Sequence, residues 1–164
     1  MRRRLAGRPG AARAVAGAML GTALAGTLWL GACEDDSYRS IGGEIGILNT
    51  RTDALVQISI DRLRGHGRHA IPQIEIALHT ASDPGRRNLI TALHEIGDAE
   101  AIPILRHFAV YDVSPDIRTT CETILASWSG TDTPRAQAAK TALSRIAELR
   151  AQGEGPMAAR PSAL

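Results

Sequence analysis

From about Asp53 to Arg150, apolar residues recur three or four apart with polar residues between them, the spacing of one helix face turned toward a core. The pattern predicts helices at about 52–64, 70–81, 84–96, 100–111, 115–128 and 134–151. Their apolar faces are Val56, Ile60 and Leu63; Ile71, Ile74 and Leu78; Leu89, Ala92, Leu93 and Ile96; Ile102, Leu105 and Phe108; and Ile117, Cys121, Ile124, Leu125 and Trp128. Asp83-Pro84, Ser114-Pro115 and Thr133-Pro134 each set an amide-accepting side chain before a proline whose fixed φ suits a first helical turn.

The punctuation repeats. Ala70-Ile71-Pro72 returns as Ala101-Ile102-Pro103 and Pro84 as Pro115, each after thirty-one residues, while Arg86 returns as Arg118 after thirty-two. One period is one helix pair, and self-similarity at that length marks a stacked array. Aromatic residues are only 3 % of the chain, too few for a sandwich of β-sheets. The expectation is an all-α domain, a short α-solenoid of about three helix pairs, in residues 51–151.

The unit from Pro84-Gly85-Arg86 through Leu89, Ala92, Leu93, Ile96 and the turn Gly97-Asp98 into Ala101-Ile102-Pro103 resembles the HEAT-like repeat family, in the short bacterial form of the phycobilisome lyases. The copy from Ile117-Arg118 to Trp128 keeps the arginine and the apolar positions, whereas the first copy has Asp53 where the arginine belongs and a longer loop at Gly65-His66-Gly67. The resemblance implies a structural role for Arg86 and Arg118, each bonding across the turn inside its repeat. Asp112, six residues before Arg118, stands where the receiving acid usually is, and Thr80 stands in the corresponding place before Arg86. In such pairs the second helices line the concave face, where this chain contributes Gln57, Asp61, Arg87, Asn88, Thr91, Glu95, Thr119 and Glu122.

The N-terminus has another logic. Met1 to Arg13 is arginine-rich and free of acids, and Ala14 to Ala32 then runs without a charge, as an export signal does. The run ends in Leu30-Gly31-Ala32-Cys33, which resembles the lipobox of bacterial lipoprotein precursors. The resemblance implies a signal peptide over 1–32, cleavage before Cys33, and acyl chains such as palmitate on that cysteine; two or three chains anchor firmly where one alone is marginal. Residues 33–50 are then expected as the lipidated cysteine and its tether, and 152–164 as a disordered tail rich in Gly, Pro, Ala and Ser. Localisation follows: a lipid-anchored protein of the cell envelope, on the inner or outer membrane, with its domain on the non-cytoplasmic side.

Composition then narrows the function. Arg2, Arg3, Arg4, Arg8 and Arg13 precede the cleavage site, and removing these five from 19 basic residues leaves 14 against 17 acidic ones. A mildly acidic domain has no footprint for a phosphate backbone, so nucleic acid is excluded as a partner. Cys121 aligns with Leu89 in the repeat and reads as a small buried hydrophobe. His94-Glu95 opens like a zinc-protease helix, but the residue one turn on is Asp98, and the histidines at 66, 69, 79, 94 and 107 show no ligand spacing. No metal and no cofactor are expected.

These features predict a membrane-anchored scaffold or adaptor that binds an unidentified envelope protein through the concave face, and not an enzyme, since a solenoid offers a surface where chemistry needs a pocket. The alternatives are a structural spacer of an envelope assembly, or a chromophore-attachment factor like the lyases that share the repeat. Export argues against the last, because bilin chemistry is cytoplasmic.

Overall fold

The structure, a computed structural model, describes residues 37–49 and 54–156. Helix α1 covers 37–49, α2 Ala54–His66, α3 Ile71–Leu78, α4 Asp83–Ile96, α5 Ile102–Tyr111, α6 Pro115–Trp128 and α7 Pro134–Ala151. Single 3-10 turns, Gly67–Ala70 and Ala99–Ala101, lead into α3 and α5, so the two Ala-Ile-Pro signals mark a change from a tight turn to a regular helix. Pro72 and Pro103 sit in the first turn, where a missing amide costs nothing.

The fold is the expected all-α solenoid. Helices α2, α4 and α6 stack in one layer, α5 and α7 pack side by side in the other, and α3 and α5 close each pair against α4 and α6. Between the layers lies one continuous core that includes Leu63, Ile74, Leu78, Leu89, Leu93, Leu105, Ile117 and Leu125, all essentially inaccessible. Each pair buries its apolar stripe only against its neighbours, which is why the array folds as a whole.

Helix starts depart from expectation in detail. Ser82, not Asp83, caps α4 by accepting from Gly85 N, and Asp83 sits inside the first turn, where it pairs with Arg86. Ser114 occupies the cap position of α6 but its hydroxyl accepts nothing there; the Asp112 carboxylate instead takes the Ser114 amide at 2.7 Å. Thr133 caps α7 as expected, accepting from Ala136 N at 3.2 Å.

Residues 37–49, expected as tether, form a helix of the core. Ile41, Ile45 and Leu48 share one helical face and are buried against the repeats. Three glycines in this stretch disguise it in the sequence, and tertiary burial outweighs their poor helix propensity. The far end of α1 is held closely: Asn88 Nδ2 donates to Leu48 O at 3.0 Å, and a Cβ on Gly85 would lie 2.7 Å from Asn49 Oδ1 and 3.2 Å from its Cα. Any larger residue at 85 would have to push Asn49 aside where α4 starts.

The expected disordered tail also needs correction for Gln152–Pro156, which are described and turn back on the domain, with Glu154 N donating to Leu149 O at 2.9 Å. Residues 1–32, expected as a signal peptide, Cys33 and residues 157–164 lie outside the described residues. Among the described residues no helix is long and apolar enough to cross a membrane.

Candidate functional site

The outer face of α2, α4 and α6 gathers most of the residues expected to meet a partner. Gln57, Asp61, Arg87, Thr91, Glu95 and Thr119 are exposed on it. Gln57 and Asp61 share a bond along α2 at 3.4 Å, and Arg64 reaches Glu95 of α4 at 3.6 Å. Arg87 crosses from α4 to Asp116 of α6 at 3.1 Å. Neighbouring repeats are thus stitched by ion pairs on this face, and its charges are largely balanced within the chain.

Two expected residues serve the fold. Asn88 is half-buried and spends its amide on the Leu48 carbonyl. Glu122 faces the α6–α7 edge, where it pairs with Arg150, whose guanidinium also donates to Ala109 O at 2.9 Å.

Between α4 and α6 the face sinks into an open hollow of about 340 Å³ lined by Thr91, His94, Thr119, Thr120, Thr123 and Ile124. Each of the four threonine hydroxyls donates to the carbonyl four residues back, at 2.8 to 3.0 Å, so the hollow receives methyl groups and oxygen lone pairs rather than donors. His94 is its titratable group. The ring stacks on Trp128 with centroids 6.0 Å apart and planes 22° from parallel, and its Nδ1 is buried with no hydrogen-bond partner. Behind Trp128 the Arg135 guanidinium lies 5.3 Å from the ring centroid and donates to Gly97 O at 2.6 Å, which fixes the indole and through it the imidazole. The sequence pattern passes over His94 because its zinc motif is broken; the cue was Trp128, one repeat on, facing the same seam.

The arginine pattern is structural, with a changed partner. Arg118 donates to the Asp112 and Val113 carbonyls at 2.7 and 3.3 Å, and Arg86 to the Ala81 carbonyl at 2.9 Å, each closing the turn inside its own pair. The Asp112 carboxylate, however, receives Arg86 of the preceding pair: Nε lies 3.0 Å from Oδ2, without hydrogen-bond alignment, and Nη2 3.5 Å from Oδ1. Cys121 is fully buried, as expected, and burial, reinforced by Asp112 and Glu122, pushes its thiol up to about 12. Among the described residues no three metal-ligating side chains come together.

The stacked helix pairs and their crossing arginines form a HEAT-like fold. No family model and no curated protein matches the chain. A solved structure does: the complex of CpcE and CpcF of phycocyanin lyase from Nostoc sp. PCC7120, with 22% identity and a TM-score of 0.53, over 68% of this chain and 65% of that one. The chain therefore spans just under two thirds of that neighbour's length. The expectation that the protein is not an enzyme is corrected by this likeness, since a lyase complex is built on the same fold and a solenoid is no argument against catalysis.

Proposed function

We propose that the chain is a HEAT-like repeat subunit of a lyase-type assembly, working against a second protein and held at the non-cytoplasmic side of a membrane by lipid on Cys33. The observation that carries the reading is the fold shared with a lyase whose solved form is a complex of two proteins, CpcE and CpcF. From that likeness we take the two-protein architecture and the lyase class, and leave phycocyanin itself aside, because the export signal expected over 1–32 directs this chain out of the cytoplasm. The partner docks along α4 and α6, where Thr91 and Thr119 line the hollow and Arg87 stands one turn before Thr91, and His94 serves as the proton-transfer group that a lyase step needs at its centre. Reversible crosslinking on membranes, followed by isolation of the full chain, tests the reading. One stoichiometric protein partner is the expected result; recovery of the chain alone overturns it.

A further inference from the structure

A second cavity, about 340 Å³ between α5 and α7, shares no lining residue with the α4–α6 hollow; around it stand Arg106, His107, Tyr111, Arg145, Leu149 and Glu154. It already holds one carboxylate, the chain's own. Helix α7 ends where Gly153 takes φ +81°, a left-handed turn that favours glycine, and the amides of Gly153 and Glu154 then donate to Arg150 O and Leu149 O at 3.0 and 2.9 Å. This cap reverses the chain and delivers Glu154 to the cavity, where its carboxylate accepts from the Tyr111 hydroxyl and thereby raises that phenol's pKa.

The surroundings suit a carboxylate better than this single bond uses them. Among the described residues Arg106 makes no hydrogen bond or ion pair and Arg145 has only Glu148 of its own helix, at 2.8 Å and half-exposed. The His107 ring lies 5.1 Å from that of Tyr111, and Leu149 supplies an apolar floor. Two cations, a phenol donor and an aliphatic wall together recognise an acid set beside an apolar group.

We propose that this cavity is a docking site for an extended acidic segment of a partner protein, and that Glu154 occupies it in cis. The partner's carboxylate displaces Glu154 and gains Arg106. Occupation in cis lowers the apparent affinity by the fraction of time the cavity is filled.

The test is anisotropy titration of the full chain with a fluorescent peptide, acetyl-Leu-Gly-Glu-Gly-Pro-Leu-amide, in low salt. Glu154→Ala is expected to bind roughly 3- to 10-fold more tightly than the unaltered chain. Arg106→Ala with Arg145→Ala should abolish binding, a peptide with Gln for Glu should not bind, and Arg87→Glu on the other face should change nothing. That last arm separates this site from the proposed α4–α6 interface. Equal affinity of Glu154→Ala and the unaltered chain, no binding by either, or binding that survives loss of Arg106 overturns the proposal. Should the double variant lose its helical circular dichroism, Arg106→Ala alone decides, since among the described residues that side chain has no bond to lose.

Discussion

Arg86 and Asp112 join successive helix pairs through an ion pair whose acid is 3% exposed and whose base is 15% exposed at the side chain. The same carboxylate receives the Ser114 amide, and the Asp112 carbonyl receives Arg118. One residue thus ends α5, starts α6 and ties both to α4.

Asp112→Ala therefore leaves Arg86 with Asp83 and the Ala81 carbonyl as partners and takes the acceptor from the Ser114 amide, and it is expected to cost about 1–3 kcal/mol. Arg118→Ala loses charge-assisted bonds to the Asp112 and Val113 carbonyls and should cost about 1.5–3 kcal/mol. Urea denaturation followed by circular dichroism measures both. Adding Arg86→Ala to Asp112→Ala should cost less than the two single losses together, because each single change already removes the ion pair they share. An Asp112→Ala variant as stable as the original would remove the residue from this role.

Cys121 offers a probe of opening. With its thiol pushed up to about 12 by burial first and by Asp112 and Glu122 next, hardly any thiolate exists at pH 8 in the folded chain. A thiol reagent at that pH should leave Cys121 unmodified in native protein and modify it promptly in 8 M urea. Rapid native labelling would show that α6 opens far more readily than its packing implies.

Glu44 sets part of the acid limb of stability. Burial pushes its carboxyl up, but the Ser59 hydroxyl and the Arg62 guanidinium, 2.8 Å away, outweigh it, and the folded value falls below the ordinary 4.5. A carboxyl depressed in the folded state stabilises above its unfolded pKa, and that contribution disappears as pH falls through the folded value. Stability of the unaltered chain should thus drop more steeply below pH 4.5 than that of Glu44→Gln, with the two curves converging in strong acid. Parallel curves would show that the Arg62 contact contributes nothing.

The helix pairs were legible because proline starts, arginine positions and apolar spacing agreed at one period, and α6 and α7 begin and end where the pattern places them. Helix α1 was not: Gly42, Gly43 and Gly46 lower its local propensity, and Ile41, Ile45 and Leu48 become a core face only once α2 to α4 stand opposite. The site was legible as a face but not as contacts. Spacing along α4 and α6 puts Arg87, Thr91 and Thr119 outside, while the bonds that bind Asn88 to Leu48 and Glu122 to Arg150 span 40 and 28 residues and leave no local trace. His79 and His107 looked scattered for the same reason, yet their rings meet at 6.1 Å across α3 and α5.

The lipid on Cys33 is open to direct test. Metabolic labelling with a fatty-acid probe should mark the mature protein, whose first residue is then Cys33. Cys33→Ser should abolish both the label and the cleavage. A mature protein that still carries residues 1–32, or label that survives the substitution, would remove the membrane from the proposed function.

The interface on α4 and α6 makes the last prediction, and the structure decides which substitutions test it cleanly. Glu122 is a poor choice, because a lysine there would face Arg150 and loosen the end of α7 from Ala109. Arg87 and Asp116 pair at 53% and 72% exposure, so the bond contributes less than about 1 kcal/mol and can be reversed with little harm to the fold. Thr119 is exposed and bonded only to its own helix. Arg87→Glu together with Thr119→Lys should keep the unfolding midpoint close to that of the original while lowering partner capture by about tenfold or more. Glu75→Lys, exposed on α3 in the other layer, should lower neither. Capture that is lost with Glu75→Lys and retained with the Arg87 and Thr119 pair would place the partner on the α3 side and leave the hollow around His94 without its proposed role.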